Sequence, residues 1–311
     1  MKITTAKQPE REKPVADSYL PPLRFPRIGA EGLRRKIGCL TSVSSAPVLL
    51  LLAAGFVLTA AETGQQRGKR VIDEAVAALG GQNFLTMRDR TETGRAYQFY
   101  REQLSGLAVA HIYTRYLTRP EPPVAGFLGV RERETFGKDQ SAGAIIFNES
   151  GEGYELTWRG ARPLPDETLA RYKDTTMHNI LYILRMRLGE PGLTFYSQGS
   201  DVRENQPVEI VDITDADNRT VTVYFNSSTK LPVYQVYKRR NPTDKEWDIE
   251  ATRFSKYRDI GGGVMWPFAV ERERNGEKIF EMYADSITLN KDLKDDLFTL
   301  PANLKILKKE K

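Results

Sequence analysis

Residues able to do chemistry are sparse in this 311-residue chain, and their spacing argues against most reactions. Two histidines, His111 in a strand-like run and His178 in a helical one, are joined by a single cysteine, Cys39. A first-row metal site without thiolates would need both imidazoles plus carboxylates, so no metal is expected. No G-x-S-x-G elbow, P-loop, H-E-x-x-H or G-x-G-x-x-G occurs, and Ser200 in "QGSDV" reads as a turn. Carboxylates do recur at i, i+2, as Glu132 with Glu134 and Glu271 with Glu273, and in a strand each pair would share one face, as acid and base work requires. Arg131, Arg133, Arg272 and Arg274 interleave with them, which favours charged outer edges or faces. Burial of Glu132 with Glu134 in a cleft, with a raised pKa, is the observation that would point to catalysis. No catalytic residue, cofactor or enzymatic activity is expected.

The stretch "YRDIGGGVMWPFAVERE" poses the one phosphate-loop question. No helix follows Gly261, Gly262 and Gly263 to offer its N-terminus to an anion, so the glycines read as the positive-φ turn of a hairpin. That turn delivers Trp266 and Phe268 to the same face of a sheet, with Pro267 between them suited to an edge or a bulge.

The elements that must position these residues emerge from pattern and punctuation. "RGKRVIDEAVAALGG" places Val71, Ile72, Ala75, Val76 and Leu79 on one helical face, with Gly80 and Gly81 as a stop. From Thr91 onward, about twelve strand-like runs are separated by turns too short for crossover helices, so neighbours should pair antiparallel. They are interrupted once, by a helix expected over about 166–188 with Asp166 as N-cap and a break near Thr175. No internal repeat or linker divides the chain after residue 62.

Charge is distributed unevenly. Residues 1–61 hold nine Lys or Arg against four acids, while residues 62–311 hold 37 of each sign. The basic pI therefore reflects the N-terminal segment, and the remainder has no net field to steer a polyanion, so nucleic acid is not an expected partner. "LRRK" (Leu33 to Lys36), the apolar core "VLLLLAAGFVL" and the small residues before Glu62 have the order of a secretory signal over 33–61, cleaved after Ala61. An uncleaved anchor in the inner membrane is the alternative, since Ile37 to Ala61 carries no charge. Residues 1–32 form a polar leader that a mis-assigned start would explain, and 302–311 form a charged tail. Cleavage would leave no thiol, and so no disulfide.

Two short helices cannot cover one face of a twelve-strand sheet unless the sheet curls around them. The expected fold is therefore α+β, mostly β: a single curved antiparallel sheet, a half-open barrel of eleven to twelve strands, wrapped around two or three helices over 62–301. Its concave face is either an ordinary filled core or a ligand cavity. The cavity candidates are Tyr97, Phe99, Trp158, Met177, Leu181, Leu184, Phe195, Tyr224, Trp266 and Phe268.

The succession "VIDEAVAALGGQNFLTMRDRTETGRAY", the central helical break, "FNSSTKLPVYQV", "YRDIGGGVMWPFAVE" and "ITLNKDLKDDLFTLP" resembles the outer-membrane lipoprotein carrier and sorting proteins of the LolA/LolB-like superfamily, over about residues 68–301. The resemblance implies an eleven-stranded half-barrel around a helical lid, periplasmic, holding lipoprotein acyl chains without a cofactor. The family's lipid-gating arginine has no matching position here, and the "ERETFGKDQSAG" region looks inserted. The expectation is a monomeric periplasmic protein that binds lipid or lipoprotein acyl chains. The alternative is an envelope regulatory module that uses the same scaffold to bind a membrane-protein partner.

Overall fold

The computed structural model describes residues 62–121, 126–137 and 143–309. The leader at 1–32, the apolar segment 33–61 and the cleavage point at Ala61 lie outside the described residues, as do residues 138–142 of the region that looks inserted.

Helix α1 (Gly64–Ala78) starts where Thr63 and Gln66 form a reciprocal capping box, satisfying two of the otherwise unpaired amides of the first turn. It stops at Gly80 and Gly81, both at positive φ, and a short α2 (Gln82–Leu85) comes next. Val71, Ile72, Ala75 and Leu79 form the buried stripe that the sequence pattern predicts.

Among the described residues thirteen strands complete the fold, in one antiparallel sheet. Six precede the helical interruption: β1 (Asp89–Tyr100), β2 (Gln103–Tyr116), β3 (Val130–Phe136), β4 (Ala144–Phe147), β5 (Gly153–Thr157) and β6 (Gly160–Pro163). Seven come after it: β7 (Thr194–Arg203), β8 (Gln206–Thr214), β9 (Thr220–Asn226), β10 (Pro232–Arg240), β11 (Trp247–Asp259), β12 (Met265–Arg274) and β13 (Glu277–Leu289). Consecutive strands pair with each other except β6 and β7, and β1 also pairs with β13, which joins the two halves. The spatial order runs from β6 through β1 and β13 to β7, and β6 does not pair with β7, so the barrel is open. The single curved antiparallel sheet is thus present, with thirteen strands where eleven to twelve are expected.

Both free edges are covered, which removes the template an exposed strand offers to other chains. Helix α1 lies on β7, and Gly68 lets it approach closely, because a Cβ there would meet the carbonyl oxygen of Phe195 at 2.7 Å. At the other edge, Ile306 bridges Ala161 in parallel, and Leu304 packs with Leu156 and Ile146. The stretch 302–311, expected to be a charged tail, therefore docks along β6 over its described part.

The interruption between β6 and β7 is more broken than its periodicity suggests. Helix α3 (Asp166–His178) has Pro165 at its N-cap without a side-chain cap; Asp166, expected to cap, sits in the first turn instead, where its charge complements the helix dipole. The break falls at Asn179, not Thr175. Asn179 leaves helical geometry and its side chain accepts from the amides of Leu181 and Tyr182, starting α4 (Ile180–Tyr182), which runs into a π-helical turn, Ile183–Arg187.

The glycine run is a turn. Gly261, Gly262 and Gly263 all have positive φ, and the carbonyl of Gly262 accepts from Asn83 Nδ2 at 2.7 Å. Pro267 pairs with Tyr257 on β11 and lies before β12 meets β13 at Ala269, so its missing N–H breaks no ladder on the β13 side.

Candidate functional site

Alternation sends Trp266 and Phe268 of β12, Phe254 of β11 and Val223 and Phe225 of β9 to the concave side. There they meet Ile72 of α1 and Leu79 at its C-cap, Phe84 of α2, and Ile180, Leu181, Ile183 and Leu184 of the interrupted segment, in one apolar cluster. The amide of Ile180 donates to Gln235 Oε1 at 2.8 Å, and Gln235 is 1% exposed, so a buried polar side chain pins the start of α4 to β10.

Four of the ten sequence-derived candidates, Leu181, Leu184, Trp266 and Phe268, lie in this cluster, and Phe195 packs against it half-buried. Met177 packs against a neighbouring group of Leu128, Val130 and Tyr182. The other four lie elsewhere. Tyr97 meets Tyr283 edge-on at 6.1 Å, and Phe99 lies under the Lys278 ammonium, on the opposite face from Ala96. Tyr224 meets Tyr234 at 5.5 Å and also turns away from buried Val223 and Phe225. Trp158 is 83% exposed in the turn after β5. Period-two alternation identifies residues that share a face but not which face is inward, so the pattern groups those four with the rest.

The concave face also carries a polar row that the sequence pattern assigns to outer surfaces. Across β1, β2 and β3, Arg90 pairs in register with Thr114, and Thr114 with Glu132; one step along, Glu92 and Glu134 flank Ile112. Arg90 Nε lies 2.5 Å from Glu92 Oε1, and its terminal nitrogens reach Tyr116 Oη at 2.5 Å and Thr114 Oγ1 at 3.2 Å. Thr114 Oγ1 donates to Glu132 Oε2 at 3.3 Å. Burial raises the Glu132 carboxyl above its ordinary range, and burial followed by the adjacent Glu132 charge raises Glu134 further. Arg90 and Glu92 can be found in "DRTETGRAY" as an i, i+2 pair, but nothing in the sequence marks that face as covered.

Two carboxylates with shared, raised affinity for protons can store or pass a proton. A hollow of about 260 Å³ beside Arg203, Tyr234 and Arg253 includes neither of them, and the same holds for one of about 300 Å³ beside Leu107 and Val109. None of the ten sequence-derived candidates lines either hollow. No group of three or more metal-ligating side chains occurs among the described residues.

The interrupted segment covers the cluster together with α1 and α2. Within α3 only His178 is buried, stacked on Tyr237 at 4.1 Å, and burial lowers its pKa. Farther along, Tyr172 stacks on Phe147 of β4 at 3.6 Å. The far end is fastened more firmly. Arg187, 2% exposed, donates to Glu190 at 2.7 Å, to Asp215 at 2.8 Å and to the Met177 carbonyl at 2.8 Å. The segment is thus loosely laid at α3 and anchored at Arg187.

No protein-family model matches this sequence, and no curated protein matches it. Solved structures do match the fold. A domain described as an outer membrane lipoprotein-sorting protein domain, from Vibrio parahaemolyticus, superposes with TM-score 0.50 at 10% identity, covering 76% of this chain and 97% of its own. A DUF1329 family protein from Desulfovibrio piger superposes with TM-score 0.51 at 11% identity, over 75% and 97%. The LolA superfamily protein NE2245 from Nitrosomonas europaea gives 0.47 at 10% identity, over 75% and 97%. At these identities the likeness is one of fold: the chain shares an open antiparallel half-barrel with the first two of these structures.

Proposed function

We propose that this chain is a periplasmic binding protein that holds an apolar ligand, a lipoprotein acyl chain or another lipid, between the concave sheet and the segment 166–188. One observation carries the reading. The apolar face of an open sheet is closed by α1 and α2 on one part and, on the rest, by a discontinuous helical segment whose first helix buries a single side chain and adds none to the apolar cluster. Among the described residues no helix is long and apolar enough to cross a membrane.

Ligand entry would displace α3 and separate Leu181 and Leu184 from Trp266 and Phe268. Each buried CH₂ of an acyl chain would contribute about 0.8 kcal/mol. Part of that gain is offset by the side-chain contacts given up, which keeps binding weak enough for release. No catalytic step belongs to this reading.

The test is titration of the purified protein with a fluorescent fatty acid and with a triacylated peptide. Leu181→Glu and Trp266→Ala should each weaken binding by about tenfold, the effect of a charge or a lost aromatic in an apolar site. No binding by the unaltered protein, or binding by both variants as tight as that of the unaltered protein, would sink the proposal.

A further inference from the structure

In an uninterrupted antiparallel sheet the strands alternate in direction, so the turns after β1, β5, β10 and β12 all emerge at one end. Three of those turns carry an exposed aromatic: Tyr100 beside β1–β2 is 67% exposed, Trp158 in β5–β6 is 83%, and Trp247 after β10 is 57%. Each has a guanidinium over its ring: Arg101 at 5.3 Å, Arg159 at 4.5 Å and Arg240 at 5.4 Å. Leu104, Phe136 and Ile249 add exposed apolar surface near the same end. At the opposite end, the turns between β9 and β10 and between β11 and β12 read "NSSTK" and "GGG".

The arginines matter as much as the rings. Elsewhere on the sheet, Arg95, Arg131 and Arg239 are paired with carboxylates. Among the described residues Arg101, Arg159 and Arg240 have no ion-pair partner, so their donors are available to an anion outside the protein. Tyr and Trp settle at the headgroup level of a bilayer, where an apolar ring and a polar tip are both accommodated, and arginine donors there reach phosphate oxygens. A partner protein is better matched by one contiguous packed patch. Three separate ring-and-arginine tips around the rim of a curved sheet instead match a surface that is extended, anionic and the same at every contact.

We propose that this rim seats on the interfacial layer of a phospholipid bilayer, with Tyr100, Trp158 and Trp247 entering the headgroup region and Arg101, Arg159 and Arg240 on lipid phosphates. The inference goes beyond the ligand-binding reading and does not depend on it.

The experiment uses the whole chain with vesicles of phosphatidylethanolamine and phosphatidylglycerol carrying brominated acyl chains, which quench tryptophan on contact. The apolar run Val48–Leu58 can itself bring the chain to vesicles, so the readout must be site-resolved. Trp158 and Trp247, separated by the variants Trp158→Phe and Trp247→Phe, should be quenched and blue-shifted, while Trp266, 5% exposed, should not. Arg101→Gln, Arg159→Gln and Arg240→Gln should each weaken the quenching titration by about fivefold. Protein carried on vesicles with Trp158 and Trp247 unquenched would overturn the proposal and leave the rim to a protein partner. Fatty-acid binding by the arginine variants in vesicle-free solution separates the two readings: weakened quenching with fatty-acid binding intact supports the rim apart from the ligand site, and unchanged quenching in all three variants counts against the rim.

Discussion

The indole N–H of Trp266 on β12 donates to Glu92 Oε1 on β1 at 3.1 Å, reaching across the intervening strand β13. Arg90 completes the arrangement, with its guanidinium 4.2 Å from the centre of the Trp266 ring while it also pairs with Glu92. One aromatic thus belongs both to the apolar cluster and to the buried polar row, and the strand pairing that joins the two halves of the sheet is reinforced from its concave side.

Removing Glu92 would leave Arg90 buried and uncompensated. Glu92→Leu should therefore destabilise the protein by about 3 kcal/mol or more, read from the midpoint of urea unfolding. Arg90→Leu combined with Glu92→Leu should recover most of that loss, since a buried pair is often replaceable by apolar side chains of similar volume. A double variant as unstable as the single one would show that the pair is not the source of the cost.

The carboxyl pair gives a pH dependence whose sign is fixed. Glu132 and Glu134 bind protons more tightly when folded than the ordinary carboxyl value of 4.5, because of burial. As pH rises above that value, the unfolded chain loses protons that the folded chain keeps, so this contribution to stability falls with rising pH. The groups bearing on the pair are Arg90 and Glu92 of β1, Tyr172 of α3 and Arg272 of β12. Glu134→Gln should raise the unfolding temperature at neutral and alkaline pH and change it little near pH 4. An equal shift at both pH values would show that the carboxyl is not held protonated by the fold.

Asn179 is the break in the covering segment. Asn179→Ala removes the acceptor for the amides of Leu181 and Tyr182, a capping loss of about 1 kcal/mol. Hydrogen exchange of the amides at 180–187 should accelerate by about fivefold, and lipid uptake should be faster if this segment is the lid. Unchanged exchange would show that this cap does not hold the segment.

A glycine contrast tests the seam between the two sheet halves. A Cβ at Gly94 would overlap the carbonyl oxygen of Tyr283 at a bulge between β1 and β13, so Gly94→Ala should cost about 1–3 kcal/mol. At Gly106 the nearest atom, Gln98 Cβ, would be 3.4 Å away, and Gly106→Ala should be neutral or slightly stabilising. Chemical denaturation of both variants compares the two positions directly.

Much of the architecture is legible in the sequence because it depends on local rules. The capped amphipathic helix before Gly80, the alternating runs with short turns, the single helical interruption and the positive-φ glycine turn each rest on neighbouring residues. The helix break is misplaced at Thr175 because apolar periodicity continues through Asn179. Asn179 ends α3 by capping the start of α4, and no apolar pattern records that. The docking of Leu304 and Ile306 beside β6 is hidden for a similar reason, since a bridge to a distant strand leaves little local trace.

The two carboxyl pairs mark the limit most clearly. Glu132 with Glu134 and Glu271 with Glu273 are the same motif, each interleaved with arginines. In the fold, Glu271 faces Lys278 and Arg253 on the outer surface, whereas Glu132 and Glu134 face the covered side and Arg131 faces outward to Glu149. The sequence determined that each pair shares one face of a strand, because side chains alternate with a period of two. Only the tertiary structure decided which face was inward. That choice is set by the register of long-range pairing and by what the helical segment covers, and the same choice brought Trp266 and Phe268 inside while leaving Tyr97, Phe99 and Tyr224 on the other face.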